Sequence, residues 1–243
     1  MIKCSVEVEW PVPQRIHAVS TVRYGGVSTG PYDSFNLALH VGDRVQSVRE
    51  NREILRQQWM LPAEPVWLNQ VHSNQAVCAD GVTAIPEADA SFTDKPGVVC
   101  AVLSADCLPV LLADKKGQWI AAVHCGWRGL LTGILENTLK AMPDVNFIAW
   151  LGPAIGGTVF EVGSEVRDAF MSKNPRMVDA FSPVDGGRFL ADINKLARLI
   201  LKDAGIEGIY GGEYCTYTDT RRFFSYRRDN VTGRMVSLIW REF

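Results

Sequence analysis

Histidine is scarce in this chain: His17, His40, His72 and His124 are the whole supply in 243 residues. Any metal or acid–base chemistry that uses imidazole must come from those positions. No two of the six cysteines form a CxxC pair, which excludes a zinc ribbon and a thioredoxin-like motif. The sequence has no GxGxxG or P-loop pattern, so a Rossmann dinucleotide site lacks support. It has no basic excess either. There are 25 Lys and Arg against 27 Asp and Glu, a net charge of −2, and no basic block of the kind nucleic-acid binding uses. No apolar run approaches the length of a membrane span. The opening MIKCSVEVEW carries charge early and lacks an apolar h-region, so no signal peptide is expected and the cytoplasm is the expected location. In that setting the cysteines are expected to be reduced. Cys4, Cys78 and Cys100 lie in apolar or alternating contexts and read as small core residues.

Hydrophobic residues make up 47% of the chain, enough for a sizeable core, and no repeat or linker divides it. The expectation is one domain, residues 1–243, of mixed α and β structure. Two short apolar runs, Val98–Leu103 and Leu108–Ala113, read as buried strands. Asp106 and Cys107 fall between them. Lys115-Lys116-Gly117 reads as a hairpin turn and Gln118–His124 as a third strand. After Gly129 the pattern turns helical to about Ala141. Elsewhere, two strands are expected in residues 1–22 and helices at Ser47–Met60, Gly163–Phe170 and Asp192–Ala204. Further strands are expected at Val66–His72, Phe147–Leu151, Ile209–Tyr217 and Met235–Trp240. Alternation in Val66–His72 places Gln70 and His72 on one side. Residues 175–187 read as irregular.

His72, Cys107 and His124 form the sharpest constellation, each at a strand end or boundary. Two imidazoles and a thiolate are donors zinc prefers, and three protein ligands leave a fourth position open. A metal-free Cys107–His124 nucleophile pair uses the same residues. Cys125 points the other way if its strand continues, as a core thiol does. Asp89 and Asp106 are candidates to carry protons or to orient a histidine. Arg23, Arg128, Arg227 and Arg228 accompany glycines or aromatics, and arginine grips phosphate or carboxylate bidentately. His40 lies in a loop from which it can approach the site.

The chain resembles the YfiH family, also called the laccase-domain or multicopper polyphenol oxidase-like family. The matching residues run in order through Thr21–Ser28, Ser34–Leu37, Gln70–His72, Ala88–Ala90, Ala105–Val110, Val123–Gly129, Leu151–Gly156 and Phe224–Asp229. One departure is Cys125, where the family usually has Ala. The resemblance implies a single α/β (α+β) domain with a layered mixed-sheet core flanked by helices. It implies zinc on His72, Cys107 and His124, with copper able to fill the same site in vitro. It further implies phosphorolysis of adenosine, inosine, guanosine and S-methyl-5′-thioadenosine, with hydrolytic deamination of adenosine. Purine nucleosides and phosphate are then the partners, and neither nucleic acid nor membrane is expected. Cys107, Asp106 and Asp89 are the expected catalytic groups. Arg23, Asn36, His40, Gln70, Arg128 and Arg228 are the expected substrate contacts. A second implied activity is amide hydrolysis on UDP-linked peptidoglycan precursors. Copper-dependent phenol oxidation ranks last, because four histidines cannot supply a type 1 site and a separate multi-copper cluster.

Overall fold

Three strands, Val99–Ser104, Leu108–Asp114 and Ile120–Cys125, are buried at every position. Strands apolar on both faces must be covered on both faces, and the fold of this computed structural model does that with layers. Residues 4–143 and 146–243 are described; the first three positions of the expected N-terminal strand region lie outside them.

In chain order the strands are β1 (Ser5–Val6), β2 (Ile16–Thr21), β3 (Ala76–Cys78), β4 (Ala90–Thr93), β5 (Val99–Ser104), β6 (Leu108–Asp114), β7 (Ile120–Cys125), β8 (Phe147–Leu151), β9 (Glu161–Val162), β10 (Phe181–Val184), β11 (Arg188–Ala191), β12 (Ile209–Gly211) and β13 (Met235–Arg241). The helices are α1 (Val45–Gln58), α2 (Trp127–Thr132), α3 (Ile134–Lys140), α4 (Ser164–Lys173), α5 (Ile193–Asp203) and α6 (Tyr226–Asp229). One sheet has the order β1-β2-β13-β5 and another the order β12-β8-β6-β7-β4-β3. A small third sheet joins β10, β11 and β9.

Side-chain alternation sorts the layers. In β6 and β7, Leu111, Ala113, Ile120 and Ala122 face Cys100, Val102 and Ile239 of the other sheet. The intervening residues Val110, Leu112, Ala121 and Val123 pack beneath Leu130, Ile134, Leu196 and Ile200 of the helices. The far face of the four-stranded sheet presents Ala101, Val236 and Leu238 to Leu55 of α1 and to Phe35 and Leu37. The result is a mixed α/β domain with two sheets face to face and helices outside each.

β5 and β6 therefore belong to different sheets, and the chain crosses between them at Ala105-Asp106-Cys107. The expected helix after Gly129 is two helices, α2 starting earlier at Trp127 and α3 following it. Gly133 separates them at φ +98°, a conformation that costs L-residues roughly 1–2 kcal/mol. Residues 66–72 are no strand: only Val66 and Asn69 make isolated bridges. The Val66 and Asn69 N–H groups donate to the Val99 and Pro86 carbonyls, and those of Val71 and His72 go to the Asp89 carboxylate instead of a ladder. Residues 175–187, read as irregular, hold a 3-10 turn and β10. The strand expected at Ile209–Tyr217 stops at Gly211, and Tyr226–Asp229 adds a short helix. Among the described residues no helix is long and apolar enough to cross a membrane.

Candidate metal centre

Three separate pieces of backbone deliver the donors. His124 stands in β7 opposite Pro109 of β6. Cys107 ends the crossover between the two sheets. His72 sits in the irregular segment, at φ +61°. Their donor atoms all lie within 4.8 Å of one another. Cys107 Sγ is 3.7 Å from His72 Nε2, and the two imidazole rings are 5.0 Å apart, edge to face. His124 is buried, Cys107 half-buried and His72 exposed, so the cluster opens to solvent on one side.

Asp89 holds this arrangement from behind. Its carboxylate is completely buried. It accepts from the backbone N–H groups of Val71 (3.3 Å), His72 (3.1 Å) and Ser73 (2.6 Å), and from the Ser73 hydroxyl (2.8 Å). His124 Nδ1 donates to it at 2.8 Å, which leaves Nε2 facing the cluster, where a metal would displace its proton. One carboxylate thus fixes the tautomer of one imidazole and the backbone that carries the other. Burial pushes the Asp89 carboxyl up, but its bond and attraction to His124 and the Ser73 donors bring it below the usual range.

Cys107 and His124 hold each other's charge. Burial raises the Cys107 thiol, yet His124 and the hydrogen bonds from both histidines outweigh it and lower it to about 6. Burial lowers His124, and the Cys107 thiolate with Asp89 outweighs it in turn, raising it to about 9. A thiolate at neutral pH is the form a metal binds.

The residues present fit a metal such as zinc. Two nitrogens and one sulfur converge, an orienting carboxylate lies behind them, and space is kept by Gly126. A Cβ at Gly126 meets His72 Cδ2 at 2.8 Å and Cys107 Sγ at 3.2 Å. No other group of three metal donors converges among the described residues. Cys125 is fully buried in the core beneath the helices, and burial pushes its thiol well up.

The remaining candidates fall in different places. Asp106 adjoins Cys107 at φ +96°, and its two carboxylate oxygens accept from Thr216 Oγ1 and from the Arg227 N–H, each at 2.6 Å. Strain in a residue that two donors pin is a feature of functional turns. Gln70 pairs with the Leu103 backbone, giving and taking one bond at 2.8 Å each, and so docks the His72 segment onto β5. Asn36 is fully buried and spends its amide on Ala38, Asp43 and the Arg234 N–H. Arg228 and Arg23 are tied to backbone carbonyls. Arg128 lies exposed over Trp127. His40 is exposed near Arg52 and Arg234, and burial and those charges push its imidazole down. Arg234 is absent from the candidates that the sequence offers. It falls just before the strand expected at Met235–Trp240, and no local motif marks it.

Residues 17–242 match the family model described as multi-copper polyphenol oxidoreductase laccase. The chain is 51% identical over 235 residues to a Shigella flexneri protein named purine nucleoside phosphorylase YfiH, covering 96% of each. It is 48% identical over 235 residues to a Pseudomonas aeruginosa protein also named a purine nucleoside phosphorylase, again covering 96% of each. The fold superposes on a Neisseria meningitidis crystal structure with a TM-score of 0.95 at 49% identity, covering 99% of this chain and 100% of that one. It superposes on YlmD from Geobacillus stearothermophilus with a TM-score of 0.87 at 31% identity, covering 95% and 93%.

Proposed function

Since the chain belongs to the multi-copper polyphenol oxidoreductase laccase family, we propose that it is a zinc-dependent purine nucleoside phosphorylase. The observation that carries this reading is 51% identity, across 96% of both chains, to a relative bearing that name. Among the described residues one donor set converges, which argues against a multi-copper oxidase, since that needs several.

His72, Cys107 and His124 hold the metal, which when bound supplies Lewis-acid polarisation. Adenosine, inosine, guanosine and S-methyl-5′-thioadenosine are the proposed substrates. In the reaction a phosphate oxygen bonds to C1′ of the ribose and the C1′–N9 bond breaks. Its electron pair leaves with the purine, which takes up a proton. Asp89 is a positioning residue: enclosed and saturated by donors, it acts through His124 and the His72 backbone. Asp106 is the proposed proton carrier, since it adjoins Cys107 and its carboxylate is held in one orientation. Hydrolytic deamination of adenosine is a proposed second activity of the same centre.

The test is product analysis by liquid chromatography on protein of known zinc content, given adenosine with and without phosphate, beside Cys107→Ala. Adenine that forms only with phosphate and is lost in the variant supports the reading. Inosine formed without phosphate supports the deaminase activity. Stoichiometric zinc with no turnover of any of the four nucleosides removes the reading and leaves amide hydrolysis to be assayed.

A further inference from the structure

Phosphorolysis needs a group that grips inorganic phosphate, and the arginines differ in what they have left to give. Arg228 has committed its guanidinium: Nη1 donates to the carbonyls of Thr216 and Tyr217, Nη2 to that of Phe223, and Nε faces Asp229. Arg23 donates to the Asp33 and Thr220 carbonyls, and Arg227 to that of Glu161.

Arg234 stands apart. It is half-buried just before β13. Its Nη1 donates to the neighbouring carbonyls of Thr232 (2.9 Å) and Gly233 (3.0 Å). Among the described residues Nε and Nη2 have no hydrogen-bond partner and no carboxylate pairs with the group. A partly buried guanidinium with an unfilled donor edge is an unfavourable state that an oxyanion relieves. The backbone is held firmly: Asn36 Oδ1 accepts the Arg234 N–H at 3.0 Å, and the Leu37 N–H donates to the Arg234 carbonyl at 3.3 Å. The guanidinium carbon is 5.6 Å from the centre of the Tyr226 ring. Tyr226 begins α6, whose next N–H is bonded to Asp106. Arg234 is therefore tied to the turn that carries Cys107, close enough for the charges of Cys107 and Asp106 to act on it.

We propose that Arg234 is a substrate-binding residue that holds inorganic phosphate beside the His72–Cys107–His124 cluster through the open Nε–Nη2 edge of its guanidinium. That edge has the planar fork that matches two oxygens of one phosphate. Asn36 serves it as a positioning residue. The proposal rests on the phosphorylase reading and can be separated from it by experiment.

Arg234→Gln and Arg234→Lys are compared with the unmodified zinc-loaded protein. Calorimetric titration with inorganic phosphate measures binding, and steady-state rates give KM for phosphate and for adenosine. Arg234→Gln is expected to weaken phosphate binding and raise its KM about 10–100-fold, with adenosine KM and zinc content unchanged. Arg234→Lys is expected to recover part of the loss, since it keeps the charge without the fork. If the Gln variant does not fold, the Lys variant carries the same criterion. Phosphate affinity that ignores either substitution overturns the proposal, as does an equal loss of phosphate, adenosine and zinc. Phosphate binding that depends on Arg234 in a protein releasing no purine base supports the anion site and removes the phosphorylase reading. Base release with phosphate affinity independent of Arg234 does the reverse.

Discussion

Gly126→Ala isolates the space that the metal centre needs. Gly126 has φ −68° and is the N-cap of α2, so alanine meets no backbone strain there. The added methyl meets the His72 ring at 2.8 Å, about 0.7 Å inside ordinary carbon–carbon contact of ~3.5 Å, and crowds Cys107 Sγ at 3.2 Å. His72 cannot yield freely, because its backbone is bound to the buried Asp89. Metal sites tolerate ligand displacements of only about 0.2 Å. The required shift exceeds that several-fold, so zinc affinity is expected to fall by at least the 10–100-fold typical of lost supporting contacts. The fold should survive, since replacing Gly by Ala at an N-cap costs roughly 1 kcal/mol. Zinc content by mass spectrometry and competition with a chromophoric chelator read the affinity. A thermal melt of the metal-free protein reads the fold. Wild-type zinc affinity in this variant would refute the claim that Gly126 keeps the cluster open.

Four further outcomes follow from the same geometry. Asp89→Asn places an amide among donors that need an acceptor and removes the partner of His124, so zinc affinity should drop about 10–100-fold; a chelator titration unchanged from wild type refutes the positioning role. In the metal-free protein Cys107 should be alkylated by iodoacetamide with a midpoint near pH 6, and zinc should protect it; peptide mass spectrometry that finds the midpoint near that of a free thiol contradicts the His124 pairing. The linked stability has a definite sign. The lowered Cys107 thiol stabilises the fold above the unfolded thiol value and loses that contribution as pH falls through about 6, and the raised His124 loses its own as pH climbs through about 9. Asp106→Asn should cut turnover strongly with zinc content intact, and full turnover in this variant removes Asp106 as the proton carrier.

The strands were legible where burial is complete. Val99–Ser104 and Leu108–Asp114 announce themselves by apolar runs that leave few alternatives. The helix α5 shows in its amphipathic spacing, with Ile193, Leu196, Ala197, Ile200 and Leu201 on one face, while α1 presents a mixed face. What the sequence hides is partnership at a distance. Nothing local tells that β5 and β6 join different sheets, because both read as buried strands whichever neighbours they have. Residues 66–72 carry strand-forming side chains, but Asp89 and the Gln70 amide take hydrogen bonds that a ladder would otherwise make. The proposed ligands His72, Cys107 and His124 stand out because thiol and imidazole are scarce among the boundaries of apolar strands. Arg234 does not, because its interest lies in the partners it lacks, and an absence of partners is visible only in three dimensions.

The crossover at Ala105-Asp106-Cys107 has a consequence for how the protein comes apart. His124 is rooted in the six-stranded sheet, and the His72 segment is clipped to β5 of the four-stranded sheet through Gln70. Cys107 is the stitch between them. His72 is also held through its N–H by Asp89, just before β4, so an ion bound by all three donors fastens the six-stranded sheet to the Gln70 clip on β5. Its binding free energy adds to the cohesion of the halves in proportion to the logarithm of free ion over dissociation constant.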